Sequence, residues 1–376
     1  MKKIQMVDLK SQYNFIKKEV DENMLQVFES STFINGPMVK AFQADMESYL
    51  NVKHVIPCAN GTDALQIALM GFKLDPGDEV ITSDFTFAAT AEVISLLKLK
   101  PVLVDVDPET FNIDPEAVEK AITPKTKAII PVHLFGQCAA MDSILELAKK
   151  YDLFVLEDNA QAIGATYTFT NGKEAKTGTL GNVGATSFFP SKNLGAYGDG
   201  GAILTNDDEL AHFIRAIVNH GMYKRYYHDV VGVNSRLDTL QASVLKVKLQ
   251  YLDFYNERRK EAARRYSDYF KNHQNLITPY RAGACNSHVF HQYTLRVINS
   301  DRDALVDYLN KREIPCGVYY PVPLHSQKAY IDPKIDSADF PVTNQLVKEV
   351  ISLPMHSELT NDQIHYITST VLEFFN

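Results

Sequence analysis

Between residues 52 and 205 short apolar runs alternate with amphipathic stretches, and this alternation constrains the fold more than any other feature of the chain. The runs are HVIPC, EVITS, PVLVDV, KAIIPVH and LFVLED, and between them lie TDALQIALMGF, ATAEVISLLK and DSILELAKKY. A strand that is apolar throughout, rather than at alternate positions, is buried on both faces, and strands separated by helices run parallel. The reading is an α/β protein whose mostly parallel sheet is covered by helices on both sides. GATSFF and GGAILT follow, joined by a glycine-rich link, as further strands of that sheet.

From Asn234 the texture changes. Leu237, Leu240, Val244 and Val247 mark one face of a long helix, which NERRKEAARRY continues as a solvated helical linker. VFHQYTLRV, a helix over DALVDYLNKR, a strand over PCGVYY and a final helix then make a smaller α+β unit. Thr360 and Gln363 form a capping box for the final helix, and Ile364, Ile367, Val371 and Phe374 are its buried stripe. A chain of 376 residues exceeds one ordinary domain, so the division expected is a large domain over 1–250 and a small C-terminal domain over 251–376.

Composition excludes several classes. The formal charge is −8, with acids and bases interleaved, so there is no basic face for nucleic acid, although a local basic cluster still suits a small anionic substrate. No apolar run approaches the length of a membrane span, and MKKIQMVDLK has no apolar stretch behind its lysines, as a signal peptide requires. Cys58, Cys138, Cys285 and Cys316 lie far apart, which suits neither a disulfide framework nor a metal site and fits the cytoplasm.

Four features carry chemistry. Asp158 ends the run LFVLED; Glu157 beside it is expected to face the other way and be structural. Lys192 in SFFPSKNLGAYGDGGA follows an apolar strand and enters a glycine-rich loop, where an amine loses charge readily and a backbone approaches a ligand closely. In CANGTDALQIAL a strand passes through Asn60, Gly61 and Thr62 into a helix, whose amide groups and positive end face a bound anion. SDFTFAAT offers an aromatic plane, Phe87 in preference to Phe85, and Ser187 offers a hydroxyl for the anion. Taken singly, the acid reads as a helix cap, the serine as a strand residue and the aromatic rings as core. Together, at the C-terminal ends of strands, they are what pyridoxal phosphate needs: a lysine for its aldehyde, an acid for its pyridine nitrogen, a ring partner and donors for its phosphate.

These motifs, with FINGPMV, PGDEVIT, EDNAQAIGA, NSRLDTLQA and YYPVPLHSQKAY, resemble the DegT/DnrJ/EryC1/StrS sugar aminotransferases, which have the aspartate-aminotransferase-like fold type I. The resemblance covers nearly the whole chain. It implies that Lys192 bonds the cofactor and that Asp158 pairs with the pyridine nitrogen. Gln161 would touch the cofactor ring, Phe87 would stack, and Gly61, Thr62, Asp63 and Ser187 would bind around the phosphate. Asn234 would reach the phosphate of a neighbouring subunit, making a homodimer with shared sites. For the substrate it implies Arg236, Tyr319, Tyr320 and His325, and HGMYKRYYH, with His220, Lys224, Arg225 and His228, is read as a loop near a nucleotide diphosphate.

The activity implied is transfer of the amino group of L-glutamate to a keto sugar on UDP or dTDP, at C3 in the members most resembled and at C4 in the alternative, in bacterial surface-polysaccharide and O-antigen synthesis. Where that 3-amino group often reads His-Tyr-Pro, this chain has Tyr319-Tyr320-Pro321, so a histidine suited to a sugar carboxylate is missing. Relatives that act as dehydratases replace the lysine, which is present here. A regulator that binds the cofactor without catalysis would need a recognition helix, and none is visible in the sequence.

Overall fold

The computed structural model describes residues 3–281 and 288–376; Met1, Lys2 and Cys285 lie outside them. The large sheet has seven strands: β1 (His54–Cys58), β2 (Glu79–Ser83), β3 (Lys100–Val104), β4 (Thr126–Ile130), β5 (Phe154–Asp158), β6 (Val183–Ser187) and β7 (Gly201–Thr205). Their spatial order is β1-β7-β6-β5-β4-β2-β3, with β2 to β6 parallel and β7 antiparallel to both its neighbours. The helices are α1 (Leu9–Ser30), α2 (Pro37–Leu50), α3 (Gly61–Gly71), α4 (Ala89–Leu96), α5 (Pro115–Ala121), α6 (Met141–Tyr151), α7 (Asp208–Ile217), α8 (Thr239–Gln250), α9 (Leu252–Phe270), α10 (Arg302–Asn310), α11 (Pro341–Glu349) and α12 (Asn361–Phe374). Among the described residues no helix is long and apolar enough to cross a membrane.

Both faces of the sheet are covered, which is why its strands are apolar throughout. Successive residues point to opposite sides. Val80, Ala128 and Leu156 pack under α3, α4 and α7, whereas Ile81, Ile129 and Val155 pack against α5 and α6. At the β1–β7 edge, Val55 and Leu204 meet α2 and α8 instead. A mixed surface on either side would leave charges under a helix.

The C-terminal residues build a separate antiparallel sheet of β8 (Leu276–Ile277), β9 (Tyr293–Val297) and β10 (Val350–Leu353), with its own core against α9, α10 and α12. The capping box on α12 is present, with Thr360 and Gln363 bonding reciprocally, and Ile364, Ile367 and Val371 are buried.

Two expectations are corrected. PCGVYY is not a strand; only Gly317 bridges to Ser352, and the chain turns away through Tyr319 and Tyr320. The charged helix α9 is not a solvated linker either. Its Ala262, Ala263, Tyr266 and Phe270 face the C-terminal core, and Arg259 is buried, donating from one guanidinium nitrogen to the carbonyls of Phe290, His291 and Met355. Arginine tolerates that position because three carbonyl oxygens replace its water.

Candidate active site

The strand directions decide where chemistry collects. β1, β5 and β6 end at the same edge of the sheet, and β7 starts there, so the turn into α3, the end of β5 and the β6–β7 loop converge. A cavity of about 660 Å³ opens at that edge. It is lined by Gly61 and Thr62, by Phe87, Asp158 and Gln161, by Ser187 and Lys192, and by Tyr319 and Tyr320.

The turn into α3 forms one end. Asn60 caps the helix, its side-chain oxygen accepting from the Asp63 amide at 2.8 Å. A Cβ on Gly61 would stand 2.6 Å from Cβ of Ser187, so only glycine lets the helix start lie against β6. Amide groups at this helix start, with the hydroxyls of Thr62 and Ser187, make an anion cradle. Asp63 is turned away from the cavity, its carboxylate accepting from the Ser235 hydroxyl at 2.6 Å.

Asp158 closes the floor. It is buried, and its two oxygens accept from the Thr90 hydroxyl at 2.8 Å and the Ala160 amide at 3.1 Å. Burial pushes its carboxyl above the ordinary range, opposed by those hydrogen bonds and by the positive charge of Lys192. Glu157 points through the sheet to the other face, where it meets His133 at 2.8 Å and accepts from the amides of Gly178, Leu180 and Gly181.

Lys192 sits in the loop between β6 and β7. Burial brings its amine down to about 8, with Asp158 pulling the other way. The loop is held from behind. Ala196 donates its amide to Phe188 at 2.7 Å, and the buried Lys248 of α8 donates to the Gly195 carbonyl at 2.5 Å. Asn193 donates to Asn256 of α9 at 2.8 Å and to the Val289 carbonyl at 3.0 Å.

The aromatic wall is divided. Phe85 is buried, edge-on to Phe111 and Phe135, whereas Phe87 is exposed over the cavity with Tyr320 at 6.3 Å. Gln161 spans the wall, accepting from the Phe135 amide at 2.7 Å and donating to the Tyr320 hydroxyl at 3.2 Å.

The other sequence-derived candidates lie elsewhere. His325 is buried away from the cavity, its ring between Asp84 at 2.7 Å and Ser337 at 3.0 Å, where it pins the PLH segment to the end of β2. Asn234 is exposed and Arg236 partly buried, and neither lines the cavity of its own chain. The HGMYKRYYH segment is an exposed hairpin, Met222–Lys224 against Tyr227–His228. Conversely, Thr86, Asp199 and His291 line the cavity although the sequence did not single them out. Thr86 and Asp199 stand within motifs already chosen; His291 carries no local signal.

The cavity fits pyridoxal phosphate. An anion cradle at one end, a carboxylate on the floor, an exposed ring and an amine of lowered basicity match its phosphate, pyridine nitrogen, plane and aldehyde. A buried Thr86 hydroxyl with no partner leaves a further polar group for a ligand to satisfy.

The DegT/DnrJ/EryC1/StrS aminotransferase family matches over residues 14–372. A "pleiotropic regulatory protein" of Geobacillus stearothermophilus is 47% identical over 99% of this chain and 98% of its own. The UDP-2-acetamido-2-deoxy-3-oxo-D-glucuronate aminotransferase of Pseudomonas aeruginosa is 46% identical over 98% of this chain and 99% of its own. A crystal structure of an aminotransferase of this type from Brucella abortus superimposes with a TM-score of 0.93, 40% identical and covering 99% of each chain.

Proposed function

The chain belongs to the DegT/DnrJ/EryC1/StrS aminotransferase family, whose members use pyridoxal phosphate, and from that premise we propose that it moves the amino group of L-glutamate onto the C3 ketone of a sugar carried by UDP or dTDP. The observation that carries the reading is the convergence of Lys192, Asp158 and the Gly61–Thr62–Ser187 cradle on one cavity. The name of the Pseudomonas relative supports a nucleotide-linked 3-keto sugar. Tyr319 and Tyr320 line the wall where a histidine would favour a sugar carboxylate, so an uncharged C6 is the better fit. An O-antigen or other bacterial surface polysaccharide is the destination we favour for such an amino sugar.

When bound, the cofactor supplies an aldehyde for the amino group and a ring that takes up the electron pair of a broken C–H bond. Lys192 moves the proton. With its amine near 8 it is partly neutral at physiological pH, so it both takes the donor's α-proton and returns one to the sugar carbon. Asp158 holds a proton on the pyridine nitrogen, since a carboxylate beside it favours the cationic form. Phe87 and Gln161 would hold the cofactor ring, with Tyr320 on the same wall of the cavity.

Lys192 is the only lysine or arginine among the described residues that line the cavity. A phosphate, the carboxylates of glutamate and a nucleotide diphosphate need more positive charge than that. We assign it to a second copy in a cytoplasmic homodimer: Asn234 for the cofactor phosphate, Arg236 for an anionic part of the substrate, and Lys224 and Arg225 of the hairpin for the diphosphate. The regulatory name of the Geobacillus relative raises a second reading, a cofactor-binding protein without catalysis. Adding L-glutamate to the yellow protein separates the two, because a transaminase loses its long-wavelength band and releases 2-oxoglutarate. A panel of 3-keto and 4-keto nucleotide sugars then tests the position, and an amine at C4 alone would sink the C3 assignment.

A further inference from the structure

Lys248 is a buried amine that the chemistry of the cavity does not use. It stands on α8, it is fully buried, and no carboxylate among the described residues offsets its charge. Burial, with the charge of Arg259, brings the amine down to about 7. A methionine would fill the same space without the desolvation that an amine suffers there. What the amine has and methionine lacks is a donor, and it donates to the Gly195 carbonyl at 2.5 Å.

Gly195 closes the loop that carries Lys192. The Lys192 amide donates to Phe189 at 2.8 Å and the Ala196 amide to Phe188 at 2.7 Å, so the loop folds back on itself. A Cβ on Gly195 would stand 2.2 Å from the Pro190 carbonyl oxygen, so only glycine lets the two limbs meet. Lys192 lines the cavity, whereas the Gly195 carbonyl is taken by α8. Leu194 and Ala196 share a buried core with Ala242 and Leu245 of the same helix.

α8 grips the loop twice. Seven positions before Lys248, about two helical turns, Gln241 accepts from the Tyr197 amide at 2.8 Å. The Lys248 amine also lies over the Tyr197 ring, 5.4 Å from its centre. Apolar packing is not directional and leaves a loop free to slide. Two hydrogen bonds to backbone groups two residues apart fix where the loop lies along the helix.

We propose that Lys248 is a positioning residue: with Gln241 it holds the loop from behind, so that the Lys192 amine stands where the aldehyde of the cofactor arrives. It touches no reacting atom and acts through the Gly195 carbonyl. This rests on the reading of Lys192 as the reacting lysine. Borohydride reduction followed by peptide mass spectrometry checks that premise first, and cofactor fixed on any other lysine ends both readings.

With the premise met, two ligands measured by equilibrium dialysis on cofactor-free protein separate position from fold. Pyridoxal phosphate needs both the cradle and the Lys192 amine. 4′-Deoxypyridoxine phosphate has the same ring and phosphate but no group for a lysine to bond, so it needs the cradle alone. A loop without its hold spends part of its time out of place, and the affinity that depends on the amine falls by the fraction left in place. Lys248→Met should therefore weaken pyridoxal phosphate about tenfold, the scale of one hydrogen bond from a charged donor, and leave 4′-deoxypyridoxine phosphate within about twofold. Loss of a merely structural lysine weakens both ligands alike or neither, and either result overturns the proposal. Gln241→Leu repeats the comparison at the Tyr197 amide should Lys248→Met fail to fold. An unchanged ratio of the two affinities there overturns it equally.

Discussion

Thr90→Val isolates one hydrogen bond to the buried carboxylate. Valine has nearly the shape of threonine, so what is lost is the 2.8 Å bond from the Thr90 hydroxyl to Asp158 and little packing. A hydrogen bond to a charged buried group contributes about 1.5–3 kcal/mol, and one to a neutral group about 0.5–1.5 kcal/mol. The loss therefore depends on whether Asp158 is ionised. Its folded pKa already stands above the unfolded value because burial penalises the charge, so the group favours the folded state at low pH and loses that contribution as pH rises through the folded value. Removing Thr90 raises the folded pKa further, because the ionised form loses more from the missing hydrogen bond than the acid form does.

Urea unfolding of cofactor-free protein, at one protein concentration and at stepped pH, measures this directly. The variant should lose about 1 kcal/mol at the acid end and about 2–3 kcal/mol at the alkaline end. An equal loss across the range would mean that the bond does not discriminate the carboxylate from the acid, and the electrostatic account of the site floor would fail. On the proposed pairing of Asp158 with the pyridine nitrogen, the same substitution should move the alkaline change of the cofactor band in the loaded enzyme.

Lys192→Ala should abolish sugar amination, assayed by product mass, while circular dichroism stays unchanged because little core is removed; more than trace turnover refutes the assignment. Asp158→Asn should retain cofactor yet slow proton transfer by orders of magnitude, as single-turnover absorbance would show. Gly61→Ala should weaken cofactor affinity at least about tenfold by equilibrium dialysis, because the new methyl meets Ser187 and opens the cradle. Arg259→Met should lower stability in urea by about 3 kcal/mol or more, leaving the carbonyls it serves without a donor. Mixing Lys192→Ala chains with chains altered at both Asn234 and Arg236 should restore about a quarter of wild-type activity, since half the dimers are mixed and each regains one site. No recovery after verified exchange would place all three residues in one subunit's site.

The parallel sheet was legible because burial on both faces leaves a local mark. Each of its strands had to be apolar at successive positions, as Val80 and Ile81 show by facing different helices. Lys192, Asp158 and the turn at Gly61 were legible for a related reason: each stands where an apolar run stops, and in a parallel sheet those ends share one edge. Chemistry placed at chain ends of this kind follows from order along the sequence.

Contacts between segments far apart left no such mark. The pattern did not show that Arg259 would be buried, because its helix looks charged until carbonyls from residues 290, 291 and 355 close around one nitrogen. PCGVYY had strand composition but no strand partner beyond Gly317, and pairing is a property of the neighbour. His325 read as a ligand contact until Asp84, 241 positions earlier, took its ring, and His291 read as nothing until the C-terminal segment brought it to the cavity wall. Residue type and spacing settle what an atom is able to do. Only the packed chain settles which partner reaches it first, because a buried polar group takes whatever donor or acceptor the fold brings within 3 Å.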